Sequence, residues 1–370
     1  MRIYLILYLV ILGQLAFGQK QKKADVLEKV NKANQYWQSI HKPEVWAFWD
    51  QAAYHTGNME LYKISRKKSY LKYSEDWAKF NEWQGAKSTN EENWKYSYGE
   101  TDDHVLFGDW QICFQTYIDL YNLSPSPEKI ARAKEVMEYQ VHSVNNDYWW
   151  WADGLYMVMP VMTKMYNLTK NPLYLSKLKI YLDYSDSIMF DNESKLYYRD
   201  AKYVFPKHQS LNGKKDFWAR GDGWVFAGLA KVLQDLPKDD RHYNFYLRRF
   251  KDMAIAIVDC QQSEGFWTRS MLDPDHAPGR ETSGTAFFTY GLLWGINNGL
   301  LTEKKFHTAA VRGWNYLSEI ALQPDGKVGY IQPIGEKAIP GQVVDANSTA
   351  PFGVGAFLLA GSEMYRYMDK

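Results

Sequence analysis

Apolar residues recur along this chain at the spacing of amphipathic helices, and polar stretches of very unequal length separate them. From Ala24 to Ile40, Val26, Leu27, Val30, Ala33 and Trp37 fall close to the helical period. The same reading predicts helices over Val45–Lys63, Ser69–Phe80, His104–Tyr121 and, opened by Pro127, a fourth ending near His142. Further helices are predicted over Asp153–Tyr166, Leu173–Phe190, Asp222–Leu236, Asp240–Gln262, Ser283–Asn298, Glu303–Leu322 and Ser348–Met368. Asn81–Glu100 is polar and reads as a long loop, a kind of segment that often carries function. Asn192–Asp216 has no steady period, and Tyr197-Tyr198-Arg199-Asp200 within it suits a short strand.

The helices fall into two alternating sets. Those beginning near Val45, His104, Asp153, Asp222, Ser283 and Ser348 are rich in Gly, Ala and aromatic residues. Those beginning near Ala24, Ser69, Pro127, Leu173, Asp240 and Glu303 carry more charge on one face. The alternation is a weak repeat of roughly 50–60 residues, the signature of a repeated helical hairpin. Six hairpins close into an all-α (α/α)6 barrel, with the small-residue helices inside and the amphipathic ones outside. An open superhelix is the competing arrangement, but the chain has neither a surplus repeat nor a polar capping repeat. No Pro/Gly/Ser-rich linker divides it, so residues 19–370 are expected to form one domain. In such a barrel the inner helices start at one end, where function is expected to gather.

The first residues read differently. Met1-Arg2, the apolar stretch Ile3–Phe17 and the small-x-small triplet Ala16-Phe17-Gly18 make residues 1–18 an expected signal peptide. The protein is therefore expected to be exported, periplasmic or secreted, with no membrane span after cleavage. The formal net charge of +1 gives no field favouring nucleic acid. The two cysteines, Cys113 and Cys260, lie in apolar helical contexts and read as small buried hydrophobes. No CxxC, HExxH or clustered ligand spacing signals a metal, and no cofactor is expected.

Candidate chemistry gathers at the starts of the inner-type helices. Trp149-Trp150-Trp151-Ala152-Asp153-Gly154 sets one acid among three indoles, a costly placement unless the carboxyl is paired or protonated. A helix cap is the preferred reading of Asp222 and Ser283 and only the competing one for Asp103 and Asp153, which stand beside His104 and the Trp run. Asp103 stands beside His104, and two carboxyls near one mouth can form an acid/base pair with Asp153. Trp218-Ala219-Arg220-Gly221-Asp222-Gly223-Trp224 combines a planar carboxylate-binding fork, Arg220, with the ring faces of Trp218 and Trp224. Arg199, Lys207 and His208, on the preceding loop, add positive charge or remain solvated surface groups.

Trp151-Ala152-Asp153-Gly154-Leu155-Tyr156-Met157 with Pro160, and Trp218–Trp224, resemble the signature of glycoside hydrolase family 105, unsaturated glucuronyl or rhamnogalacturonyl hydrolases related to family 88. Glu281-Thr282-Ser283-Gly284 and Asp102-Asp103-His104 with Gly108 fit the same pattern. The resemblance implies the (α/α)6 barrel and a substrate with a terminal 4,5-unsaturated uronate left by a polysaccharide lyase. It implies that Asp153 protonates C4 and helps water add at C5, after which the sugar ring opens and releases the remaining oligosaccharide. It makes Asp103 the second acid and Arg220 a substrate-binding group flanked by Trp218 and Trp224, with Trp151 as an aromatic wall. His104, Arg199 and His208 complete the expected substrate contacts. Asp222 stands where the motif often has Asn, and Arg199 where many members carry His. An extra Arg suits a more anionic substrate, such as an ulvan fragment with sulfated rhamnose; rhamnogalacturonan fragments from pectin are the alternative. A noncatalytic carbohydrate-binding barrel and a helical scaffold are the other classes, and the clustered acids argue against the scaffold.

Overall fold

The computed structural model describes residues 22–369. The expected signal peptide, 1–18, lies outside them. Helix α1 covers 22–40, followed by α2 (Trp49–Ser65), α3 (Lys68–Phe80), α4 (Gly108–Gln111), α5 (Cys113–Leu123) and α6 (Glu128–His142). Then come α7 (Ala152–Thr169), α8 (Leu173–Met189), α9 (Ala219–Asp235), α10 (Tyr243–Asp259), α11 (Thr282–Asn297), α12 (Lys304–Tyr316) and α13 (Pro351–Tyr367). Ile112 keeps helical dihedrals, φ −56° and ψ −32°, so α4 and α5 act as one inner helix.

The inner ring runs α2, α4–α5, α7, α9, α11, α13 and back to α2, each packed on its neighbours. The (α/α)6 barrel is therefore present, and it closes between the first and last inner helices. Small residues make that closure possible. A Cβ on Gly57 of α2 would lie 2.2 Å from the Gly355 carbonyl oxygen of α13, so neither helix tolerates a larger residue there. The outer helices cover the ring. Between α1 and α2 the contact includes buried polar groups: Asn34 donates to Asn58 Oδ1 at 2.9 Å, and Tyr54 donates to Asn34 Oδ1 at 2.7 Å.

Several inner helices start elsewhere than the periodicity predicts. The helix expected from His104 starts at Gly108, because 101–107 winds through successive turns: His104 N–H donates to the Thr101 carbonyl, and Phe107 N–H to that of His104. The one expected from Ser348 starts at Pro351, a residue pre-set for a first helical position. The one expected from Asp222 starts at Ala219.

Capping is also not the expected kind. Neither α7 nor α9 has a side-chain cap. Their first N–H groups are met by backbone from the next long loop: Ala152 N–H donates to the Arg199 carbonyl at 2.8 Å, and Ala219 N–H to that of Arg269 at 2.9 Å. Thr282 N–H donates likewise to the Tyr330 carbonyl at 2.8 Å. In α11 the side-chain cap is Glu281, accepting from Ser283 and Gly284 N–H, rather than Ser283. This recurring backbone clasp straps three long loops across the starts of α7, α9 and α11. It explains how the 199 region reaches Asp153. The short strand expected at Tyr197–Asp200 is reduced to Leu196–Tyr197, paired with Phe190–Asp191 in a hairpin.

Candidate active site

A cleft of about 390 Å³ opens at the N-terminal end of the inner helices. Trp49, Tyr98, Trp150, Trp151, Met157 and Ile334 supply its rings and apolar wall. Its ionisable lining is Asp109, Asp153, Arg199, Lys202 and Glu336.

Asp153 lies in the first turn of α7, held there by the clasp on Ala152. Its Oδ2 is buried without a hydrogen-bond partner, and the Arg199 Nε lies 3.7 Å away. Burial pushes this carboxyl above its ordinary range, while Arg199 and Arg220 pull against the shift. Asp109, in the first turn of α4, is pushed well above its ordinary value by burial and then by the charge of Asp153. Two carboxyls with few partners thus share one aromatic cleft, the arrangement that lets a carboxyl keep a proton near neutral pH.

Asp103, expected as the second acid, does not line the cleft. It bonds Lys95 at 2.5 Å and accepts from Thr101 Oγ1 at 2.5 Å, which hold its carboxyl below the usual range. The turns of 101–107 keep it a full step before the inner helix, and Asp109 takes the place expected for it. His104 goes with Asp103: its ring bonds Thr101 Oγ1 at 2.8 Å and packs on Gly99.

Arg199 is the expected substrate contact that the structure brings to Asp153. Its guanidinium also reaches Asp200 at 2.6 Å and Glu336 at 3.3 Å. Arg220 has another place. It is 1% exposed and donates to the carbonyls of Gln332 at 2.6 Å and Pro333 at 2.9 Å. The Trp218 and Phe352 rings enclose it at 4.5 and 4.7 Å. Burial lowers its pKa to about 10, against the pull of Glu281 and Asp153. Its donors hold up the 332–335 strip, which carries Ile334 and Gly335 to the cleft wall.

Trp218 donates its indole N–H to Gln332 Oε1 at 2.8 Å and braces the same strip. Trp224 is core, packed on Phe287 at 4.2 Å and Tyr156 at 4.9 Å. His208 bonds Asp216 at 2.9 Å and does not line the cleft. In the indole run only Trp150 and Trp151 face the cleft; Trp149 packs on Tyr181 at 5.1 Å. Asp222 does not cap α9. Its Oδ1 accepts from Tyr197 N–H at 2.8 Å, two residues before Arg199, so it helps set that loop.

A model of glycosyl hydrolase family 88 matches residues 19–368. The chain belongs to that family. It is 32% identical over 335 residues to the unsaturated 3S-rhamnoglycuronyl hydrolase of Formosa agariphila, covering 86% of this chain and 84% of the relative. A solved structure described as glycosyl hydrolase family 88 from Bacteroides vulgatus is 60% identical, with a TM-score of 0.92 over 93% of this chain and 99% of that one. Another, named as a polysaccharide lyase, is 66% identical, with a TM-score of 0.92 over 94% and 99%.

For a family 88 glycoside hydrolase the residues missed in the sequence matter most. Asp109 is bracketed by Gly108 and Trp110, much as Asp153 stands between Trp151 and Gly154, and that echo was its available signal. Trp49 and Glu336 gave none, since each comes from a stretch unremarkable in sequence. Beside the cleft lies a hollow of about 530 Å³ that shares Tyr98 and Trp150 with it and adds Trp94, Tyr96, Tyr184 and Lys95. Among the described residues no helix is long and apolar enough to cross a membrane.

Proposed function

We propose that this hydrolase removes a terminal 4,5-unsaturated uronic acid from rhamnose-containing oligosaccharides made by polysaccharide lyases. The observation that carries the reading is Asp153: a buried carboxyl, one oxygen without a partner, facing an aromatic cleft beside a guanidinium.

The chemistry follows from that placement. Arg199 meets the uronate carboxylate, and the Trp150 and Trp151 faces pack on the sugar ring. Protonated Asp153 gives its proton to C4 of the enol ether, and positive charge develops at C5. Water adds at C5 and returns a proton to Asp153, so the carboxyl ends as it began. The hemiketal opens to a C5 ketone, leaving the former ring oxygen as a hydroxyl on C1, and that hemiacetal collapses to an aldehyde as the glycosidic oxygen leaves with a proton. Asp109, whose carboxyl burial pushes well above its ordinary range, helps to orient Asp153 or the water. The neighbouring aromatic hollow takes the sugars beyond the scissile bond. A 3-sulfated rhamnose there is the preferred partner sugar: the Formosa agariphila relative is named for that class, and exposed Lys202 and Lys95 supply cations at the mouth. Residues 1–18 are proposed to direct export.

The relative named as a polysaccharide lyase favours one second reading, in which the cleft creates unsaturated uronates rather than consuming them. The two readings give opposite signs. With unsaturated disaccharides, hydration lowers the ultraviolet absorbance of the double bond; with intact polyuronides, a lyase raises it. No absorbance loss on any unsaturated disaccharide sinks the hydrolase proposal.

A further inference from the structure

Glu336 stands at the mouth of the cleft on the loop that faces the 199–203 segment. Its carboxylate lies 3.3 Å from Arg199 Nη1 and 3.3 Å from Lys202 Nζ, and accepts from the Tyr203 hydroxyl at 2.5 Å. Burial opposes its ionisation, but Tyr203, Arg199 and Lys202 outweigh that and hold it below the ordinary carboxylate range.

The two cations that line the cleft are thus already paired with protein carboxylates. Arg199 has three: Asp153, Asp200 and Glu336. Asp200 is fixed, with its side chain 4% exposed and Oδ1 accepting from Lys202 N–H at 2.7 Å. Asp153 is fixed in the first turn of α7. Glu336 alone is half-exposed, at 44%, and sits on a loop. An anionic sugar entering the cleft needs Arg199 or Lys202, and the carboxylate able to give way is Glu336.

We propose that Glu336 is an internal counter-ion that occupies the place of a substrate anion on Arg199 and Lys202, and that its displacement sets how strongly the enzyme favours anionic sugars. The proposal rests on the cleft's reading as a uronate site. Before binding, Glu336 keeps the two cations ordered and prevents stray anions from settling there. On binding, the substrate carboxylate or a neighbouring sulfate takes its place, and Glu336 turns to solvent. The exchange is of one ion pair for another, so it costs little for an anionic sugar and is uncompensated for a neutral one.

The test is the substitution Glu336→Gln, which keeps shape and removes charge. It is measured on unsaturated uronyl-rhamnose disaccharides with and without sulfate, with Tyr203→Phe as the companion variant. Glu336→Gln is expected to lower KM about three- to five-fold, the size of one screened ion pair, with the larger gain on the sulfated sugar. Tyr203→Phe, which loosens the hold on Glu336, moves KM the same way by less. The effect falls on KM rather than kcat. Calorimetric binding of glucuronate ion to both proteins reads the same competition without turnover. If wild type fails to consume either disaccharide yet the variant binds glucuronate more tightly, the hydrolase reading fails and the counter-ion stands. A KM and a glucuronate affinity that stay level or worsen in Glu336→Gln overturn the counter-ion, whatever the turnover.

Discussion

The two ends of the barrel bury the same residue types to opposite effect. At the far end, where the inner helices finish, Lys63 joins Glu60 at 2.7 Å and Asp119 at 3.1 Å, Lys164 joins Asp119 at 2.5 Å, and Arg366 joins Glu60 at 2.8 Å. Burial raises the cost of charge there too, yet Lys164 and Lys63 pull Asp119 down to about 2, and Lys63 and Arg366 hold Glu60 below its ordinary range. At the cleft end, Asp109 and Asp153 are as deeply buried but neither is hydrogen-bonded to a cation, Arg199 Nε standing 3.7 Å from Asp153, and both rise. Burial alone therefore does not make a proton donor. Direct bonding to cations separates Asp119 and Glu60 from Asp109 and Asp153.

Breaking each end tests that contrast. The largest effect is expected from Asp153→Asn, which removes the transferable proton and should lower kcat by about 10³- to 10⁴-fold with the fold intact by circular dichroism. Asp119→Ala strikes the other end. It leaves Lys63 and Lys164 buried without their shared carboxylate, and should cost about 3–5 kcal/mol in urea unfolding while kcat of the folded protein stays at the wild-type level. Its pH dependence has a definite sign. The folded pKa lies below the ordinary carboxylate value of 3.8, so the wild-type advantage is present above that value and is lost as pH falls towards about 2.

Asp109→Asn should lower kcat by about 10²-fold, against a few-fold at most for Asp103→Asn. The reverse order would restore Asp103 as the second acid and undo the placement given to Asp109. The smallest effect concerns Asp222, whose buried carboxyl is pushed well above its ordinary value. The folded state keeps a proton that the unfolded state loses, so stability falls as pH rises above the ordinary value of 3.8. Asp222→Asn can still accept from Tyr197 N–H without that penalty. It should raise stability near neutral pH by about 1 kcal/mol, and by less at pH 4.

The barrel was legible because its signals are repeated. Helical period, alternation of small-residue and charged helices, and long connections before the inner-type helices all point to one architecture. Asp153 was legible because an acid after three indoles is costly wherever it lies. Asp109 was not, because the apolar run Val105-Leu106-Phe107 hides a set of turns, and the helix that carries it to the cleft begins four residues later than its periodicity indicates. Arg220 shows another limit. Its sequence reads as a carboxylate-binding fork between Trp218 and Trp224, but the tertiary contacts show that it is buried and grips the Gln332 and Pro333 carbonyls while Arg199 reaches the cleft. The clasp that delivers Arg199 is a backbone bond from Ala152, and backbone bonds between distant segments leave no mark on side-chain identity.

The most direct test of the central claim compares purified wild type and Asp153→Asn on an unsaturated uronyl disaccharide and on its saturated counterpart. Absorbance of the double bond and release of the second sugar are followed together. Wild type is expected to consume the unsaturated sugar, losing absorbance in step with release, and to leave the saturated one intact; Asp153→Asn is expected to consume neither. Full activity in Asp153→Asn, or equal cleavage of the saturated disaccharide, would contradict the claim.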